Sequence, residues 1–83
     1  MRIAPHLAWQ IVDGEGVIVD LAGRRVIGLN PTASLVLSLL DTHQEGAIAA
    51  EIARCFEVDE PTARNDTRDF LEWLRARGLA VAD

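Results

Sequence analysis

Nucleophilic, proton-transfer or metal chemistry in these 83 residues would have to be built around His6, His43 and Cys55. The two histidines stand far apart and share no HxxxH, HExxH or Cys-His spacing, so they form no recognisable set of metal ligands and read as solvated surface groups. Cys55 has no CxxC partner and cannot form an internal disulfide; its position on a helical stripe makes it a small buried or half-buried side chain. The carboxylate pairs Asp59/Glu60 and Asp66/Asp69 lie where helix caps and solvated helix faces account for them. Gly14-Glu15-Gly16 is a turn rather than a phosphate cradle, and no GxSxG occurs. No cofactor is expected, and a catalyst is not indicated.

What the residues do specify is a scaffold. "HLAWQIV" puts Leu7, Trp9 and Ile11 on one face of a strand, "DGEG" supplies a turn, and "VIVDLA" alternates again. Gly23 is expected to provide a positive φ in the next turn. A third strand follows in "RRVIGLN", with Arg25, Ile27 and Leu29 on one face and Arg24, Val26 and Gly28 on the other; three antiparallel strands result, with the third at the sheet edge.

Asn30-Pro31 starts a helix, because Asn caps well and Pro at the first helical position gives up an N–H that had no partner. Ala33, Val36, Leu37 and Leu40 bury its face. A second helix carries Ile48, Ile52, Cys55 and Phe56 as its stripe. The third opens at Asp59-Glu60-Pro61 with Asp59 as cap, buries Ala63, Thr67, Phe70 and Leu74, and ends at Gly78. "LAVAD" reads as a short strand or extended tail. The expectation is one α+β domain over residues 1–83, three antiparallel strands followed by three helices, in the manner of a winged helix-turn-helix.

Thirteen Asp and Glu against eight Arg and no Lys give a net charge of −5. A third helix that mixes Arg64, Arg68 and Arg75 with Asp66, Asp69 and Glu72 would repel phosphate as often as attract it, which disfavours nucleic acid as a partner. No apolar stretch reaches membrane-spanning length and no signal-peptide core precedes the first strand, so a cytoplasmic protein is expected. Leu71 and Trp73 lie on opposite sides of the third helix's core stripe. Either both widen the core, or one stays exposed beside the edge strand as part of a groove that accepts an extended peptide by β-augmentation.

"VIVDLAGRRVIGLNPTASLVLSLLD", "IAAEIARCFEVD" and "DTRDFLEWLRARGLA", in that order, resemble the PqqD-like proteins, small peptide-recognition domains of ribosomal peptide natural-product pathways. The resemblance runs from about Gly16 to Ala80. It implies a winged helix-turn-helix without catalytic activity that captures the leader of a precursor peptide and presents it to a modifying enzyme, a leader protease or a radical SAM enzyme. The wording "GLNPTAS" leans towards the lasso-peptide branch over pyrroloquinoline quinone synthesis. Carried over, the peptide site comprises Arg24, Arg25, Val26, Ile27, Gly28 and Leu29 of the third strand. Helix three would contribute Arg64, Asp66, Thr67, Arg68, Leu71, Trp73 and Leu74, its arginines pairing with acidic leader residues; either flank of that helix could border the strand. A DNA-binding regulator and a structural subunit of an enzyme are the rival readings, and an unpaired edge strand also allows a homodimer.

Overall fold

Two short turns fold the first third of the chain back on itself. The computed structural model describes residues 1–82, so Asp83, the last residue of the expected tail, lies outside it. Its elements are β1 (Arg2–Ile3), β2 (Ala8–Val12), β3 (Glu15–Asp20), β4 (Arg25–Gly28), α1 (Pro31–Leu39), α2 (Glu45–Phe56), α3 (Glu60–Ala76) and β5 (Ala80–Val81). The main sheet is antiparallel in the order β2-β3-β4, as expected, with β4 at an edge. Between β2 and β3, Asp13 and Gly14 adopt φ of 53° and 78°, the geometry of a two-residue hairpin turn whose twist matches the strands.

The turn between β3 and β4 differs from expectation. The positive φ falls on Arg24, at 55°, and not on Gly23. Glycine is needed at 23 because the Asp20 carboxylate folds over the turn: a Cβ there would stand 2.6 Å from Asp20 Oδ2. Asp20 accepts the Gly23 N–H at 2.9 Å and the Arg25 guanidinium at 2.9 Å. These two bonds, the Gly23 N–H foremost, hold its carboxyl below the usual range, so the clamp is charged at neutral pH.

A second, two-stranded sheet goes beyond the sequence pattern at its N-terminal end. β1 pairs antiparallel with β5, Arg2 opposite Val81 and Ile3 opposite Ala80. Two residues are too few for alternation to register in a sequence.

Ile18 from β3, Val36 and Leu37 from α1 with Leu40 at its C-cap, Ile48 and Ile52 from α2, and Ala63 and Leu74 from α3 form one core. At the start of α1 the expectation holds: Asn30 Oδ1 accepts the Ala33 N–H at 2.8 Å, with Pro31 following, although Ala33, expected on the buried face, is only half-buried. Buried Ser34 ties that helix to the sheet, its Oγ accepting the Gly16 N–H at 2.6 Å and donating to the Asn30 carbonyl at 2.7 Å. Two details of α2 and α3 depart from expectation. The expected stripe members Cys55 and Phe56 are both exposed, because the α2 stripe that packs is Ile48, Ala49 and Ile52. Asp59 takes the extended N-cap conformation without a side-chain capping bond. At its other end α3 closes as a Schellman motif: the Leu79 N–H reaches the Leu74 carbonyl at 2.9 Å, the Gly78 N–H reaches that of Arg75 at 3.0 Å, and Gly78 has φ of 69°.

Candidate functional site

The free edge of β4 follows from its pairing. The Leu29 N–H donates to the Gly16 carbonyl at 2.8 Å, in line with the register that sets Gly28 opposite Val17 and Ile27 opposite Ile18. In an antiparallel ladder inward and outward backbone groups alternate. Leu29, Ile27 and Arg25 therefore turn their N–H and C=O groups to β3, while Val26 and Gly28 turn theirs outward, to the open edge. Side chains alternate independently: Ile27 and Leu29 lean on the core, and Val26 is 74% exposed on the outer sheet face.

Facing this edge is one flank of α3. Ile27, Gly28 and Leu29, with Asn30 and Ala33 from the start of α1, form one wall of a shallow groove of 380 Å³; Asp69, Phe70 and Trp73 form the other. A second hollow continues it past Asn30, Thr32 and Val36 to Asp66. The Phe70 and Trp73 rings stack at 5.9 Å between centroids with a 15° interplanar angle. The Arg77 guanidinium lies 4.5 Å from the Trp73 ring centre. Such contacts contribute roughly 0.5–1.5 kcal/mol each and fix the rings' orientation, so the groove has a preformed aromatic wall.

The structure thus settles which flank of α3 borders the edge strand, and it separates the residues that the resemblance groups. Ile27, Gly28, Leu29, Trp73 and, further along, Asp66 come together. Arg24 and Arg25 sit at the strand's entry, Arg25 held by Asp20. Arg64, Arg68 and Leu71 lie on the other flank. Arg68 reaches Glu45 of α2 at 3.5 Å, and Arg64 reaches Glu60 one helical turn away at 3.6 Å. Leu71 is 4% exposed, on the side of Leu40 and Ile48. Thr67 and Leu74 are buried beneath the helix and present nothing to the surface. The expected pairing of Arg64 and Arg68 with an acidic peptide at this groove is therefore corrected: both lie on the far flank, and the α3 wall beside Asn30 carries Asp66 and Asp69 instead.

Phe70, expected in the core, is instead half-buried at the groove, next to Trp73. Asn30, Ala33 and Asp69 join the groove although neither motif nor resemblance marks them as site residues. A signal exists for the aromatic pair: Phe70 and Trp73 stand three residues apart, the spacing at which helical side chains meet. Nothing local marks Asn30 or Ala33, whose place depends on how α1 leaves the sheet.

Among the described residues no group of three or more His, Cys, Asp or Glu side chains is arranged to hold a metal ion. Among the described residues no helix is long and apolar enough to cross a membrane. What the groove offers is unpaired main chain, ring faces and charge, a means of holding a chain in an extended conformation.

Comparison with known proteins agrees with this architecture. The structure of TbiB1 in complex with the TbiA(beta) leader peptide matches with a TM-score of 0.86 and 31% identity, over 100% of each chain. Lasso peptide synthetase B1 complexed with the leader peptide matches at 0.85 and 27% identity, over 98% of this chain and 96% of that one. No curated protein matches. The family model described as coenzyme PQQ synthesis protein D (PqqD) matches residues 15–80. The chain, an α+β winged helix-turn-helix with two leader-peptide complexes among its structural matches, belongs to the PqqD family.

Proposed function

We propose that this protein is a non-catalytic carrier of precursor peptides: it binds the leader segment as an added strand on β4, over the α3 groove, and delivers the attached core to a modifying enzyme. The observation that carries this reading is the coincidence of two features in a chain whose structural matches are leader-peptide complexes. Val26 and Gly28 leave outward N–H and C=O groups unclaimed by the sheet, and the space beside them is walled by Phe70 and Trp73. A strand laid there gains main-chain hydrogen bonds whatever its sequence, and places alternate side chains against the rings. The match to lasso peptide synthetase B1, at 27% identity over 98% of this chain, favours a lasso-type precursor, with a leader protease as the enzyme served in the cytoplasm.

The test is titration of isotope-labelled protein with the synthetic leader of the short precursor encoded nearest its gene, followed by amide and indole NMR. Shifts should concentrate at Val26, Gly28 and the Trp73 indole, and the Val26 and Gly28 amides should become protected from exchange. Absence of any shift at tens of micromolar peptide would sink the reading.

A further inference from the structure

Charge along the groove is not uniform. At the end where β4 leaves through Asn30 into α1, the α3 wall carries Asp66 and Asp69, exposed and with no ion pair among the described residues. Along α3 the wall passes Phe70 and Trp73 and reaches Arg77, whose guanidinium covers the Trp73 ring. Because Asp66 and Asp69 share hollows with Asn30 while Trp73 lies with Ile27, α3 runs against β4, and Arg77 falls towards the Arg24 and Arg25 end of the strand. The cations of the other flank, Arg64 and Arg68, are engaged with Glu60 and Glu45 and do not reach across to blur this gradient.

We infer that this gradient reads the charge pattern of the bound peptide: the leader presents a Lys or Arg to Asp66 and Asp69, and an Asp or Glu to Arg77. The inference rests on the leader-binding reading and deepens it. Its spacing follows from geometry. Asp66 and Arg77 are separated by about 16 Å of helix rise. At about 3.4 Å per residue that corresponds to about five residues of added strand, and only positions an even number apart face the same wall, so the charges stand about four or six residues apart. Antiparallel addition, which continues the pattern of the whole sheet, begins the peptide at the Asn30 end. The cation then precedes the anion. Opposite charges placed this way also penalise a peptide that enters backwards, by setting like charges against each other.

Display selection from a random library of peptides about twelve residues long, long enough to span the groove, tests the inference whatever the sequence of the natural leader. It is run on the natural protein, on an Asp66→Lys/Asp69→Lys/Arg77→Glu variant and on an Asp66→Asn/Asp69→Asn variant. The natural protein should enrich cation-first, anion-later sequences, and the charge-reversed variant the opposite order. A selected peptide resynthesised with its two charges exchanged should bind at least about tenfold more weakly. If the reversed variant does not fold, the asparagine variant decides alone: its selected peptides should lose the leading cation, and retention of that cation overturns the inference. Anion-first selection by the natural protein, or the same charge order from all variants, likewise overturns it and leaves leader binding standing. Failure of any protein to enrich a peptide overturns leader binding itself, and the charge inference with it.

Discussion

On one flank of α3, Arg64, Arg68 and Leu71 are turned towards α2, with Glu60 and Glu45 answering the arginines and Leu40 and Ile48 near the leucine. On the other, Asp66, Asp69, Phe70 and Trp73 face the open edge of β4 across a groove. Both flanks are amphipathic and mixed in charge. They differ in completion: the α2 flank finds its partners within the chain, whereas the β4 flank leaves carboxylates, ring surface and two residues' worth of backbone unanswered. On the leader-binding reading proposed above, a helix that satisfies one side and not the other serves as scaffold on the first and as receptor on the second.

The largest effect that can test this division comes from beneath it. Leu74 is 0% exposed, and Leu74→Ala should cost about 2–5 kcal/mol of unfolding free energy in a denaturant titration, much of what an 83-residue domain has. Phe70→Ala removes a larger side chain but a half-buried one, so its cost should be about 1–2 kcal/mol, with the loss appearing mainly in peptide affinity. Equal destabilisation by the two substitutions would make Phe70 a core residue and erase the boundary between floor and wall.

A next-smaller effect separates the backbone's two directions. Ile27→Pro deletes an N–H that β3 uses and should destabilise the fold by about 1–3 kcal/mol. Val26→Pro, one residue away, deletes an outward N–H, which an edge strand tolerates; the fold should persist by circular dichroism while leader affinity falls about tenfold. A folded Ile27→Pro protein of normal stability would mean that the strand's inward and outward residues have been exchanged, and the groove's chemistry with them.

How much of this can be read from sequence follows the range of the interactions. Asn30-Pro31, Asp13-Gly14 and Gly78 act within a few residues, and the helix start, hairpin and helix stop appear where they are expected. The edge position of β4 is legible too, because three alternating segments with tight turns admit few arrangements. The pairing of β1 with β5 joins the two ends of the chain, and nothing local at Arg2-Ile3 announces it. The groove is a middle case. Its aromatics stand in the right helix, but which flank meets β4 depends on how α1, through Ser34 bonded to Gly16 and Asn30, sets the helices on the sheet. A rotation of α3 by half a turn would bring the arginines to the groove. Burial selects against it, since Leu71, Thr67 and Leu74 would then lose their cover.

That alternative makes Arg68 the most informative small effect. Its guanidinium meets Glu45 at 3.5 Å with both side chains about half exposed, 57% and 46%. Water screens such a pair, and its contribution is about 0–1 kcal/mol. Arg68→Ala should therefore shift the denaturation midpoint slightly and leave peptide affinity unchanged within about twofold, while Trp73→Ala, one and a half turns on and across the helix, lowers affinity by about tenfold or more. The contrast holds for a leader of any charge, because a peptide of either sign lying beside β4 is remote from Arg68. Were Arg68→Ala to cost as much affinity as Trp73→Ala, the peptide would have to reach over α3 to the α2 side, and the receptor would be the helix's crest rather than its groove.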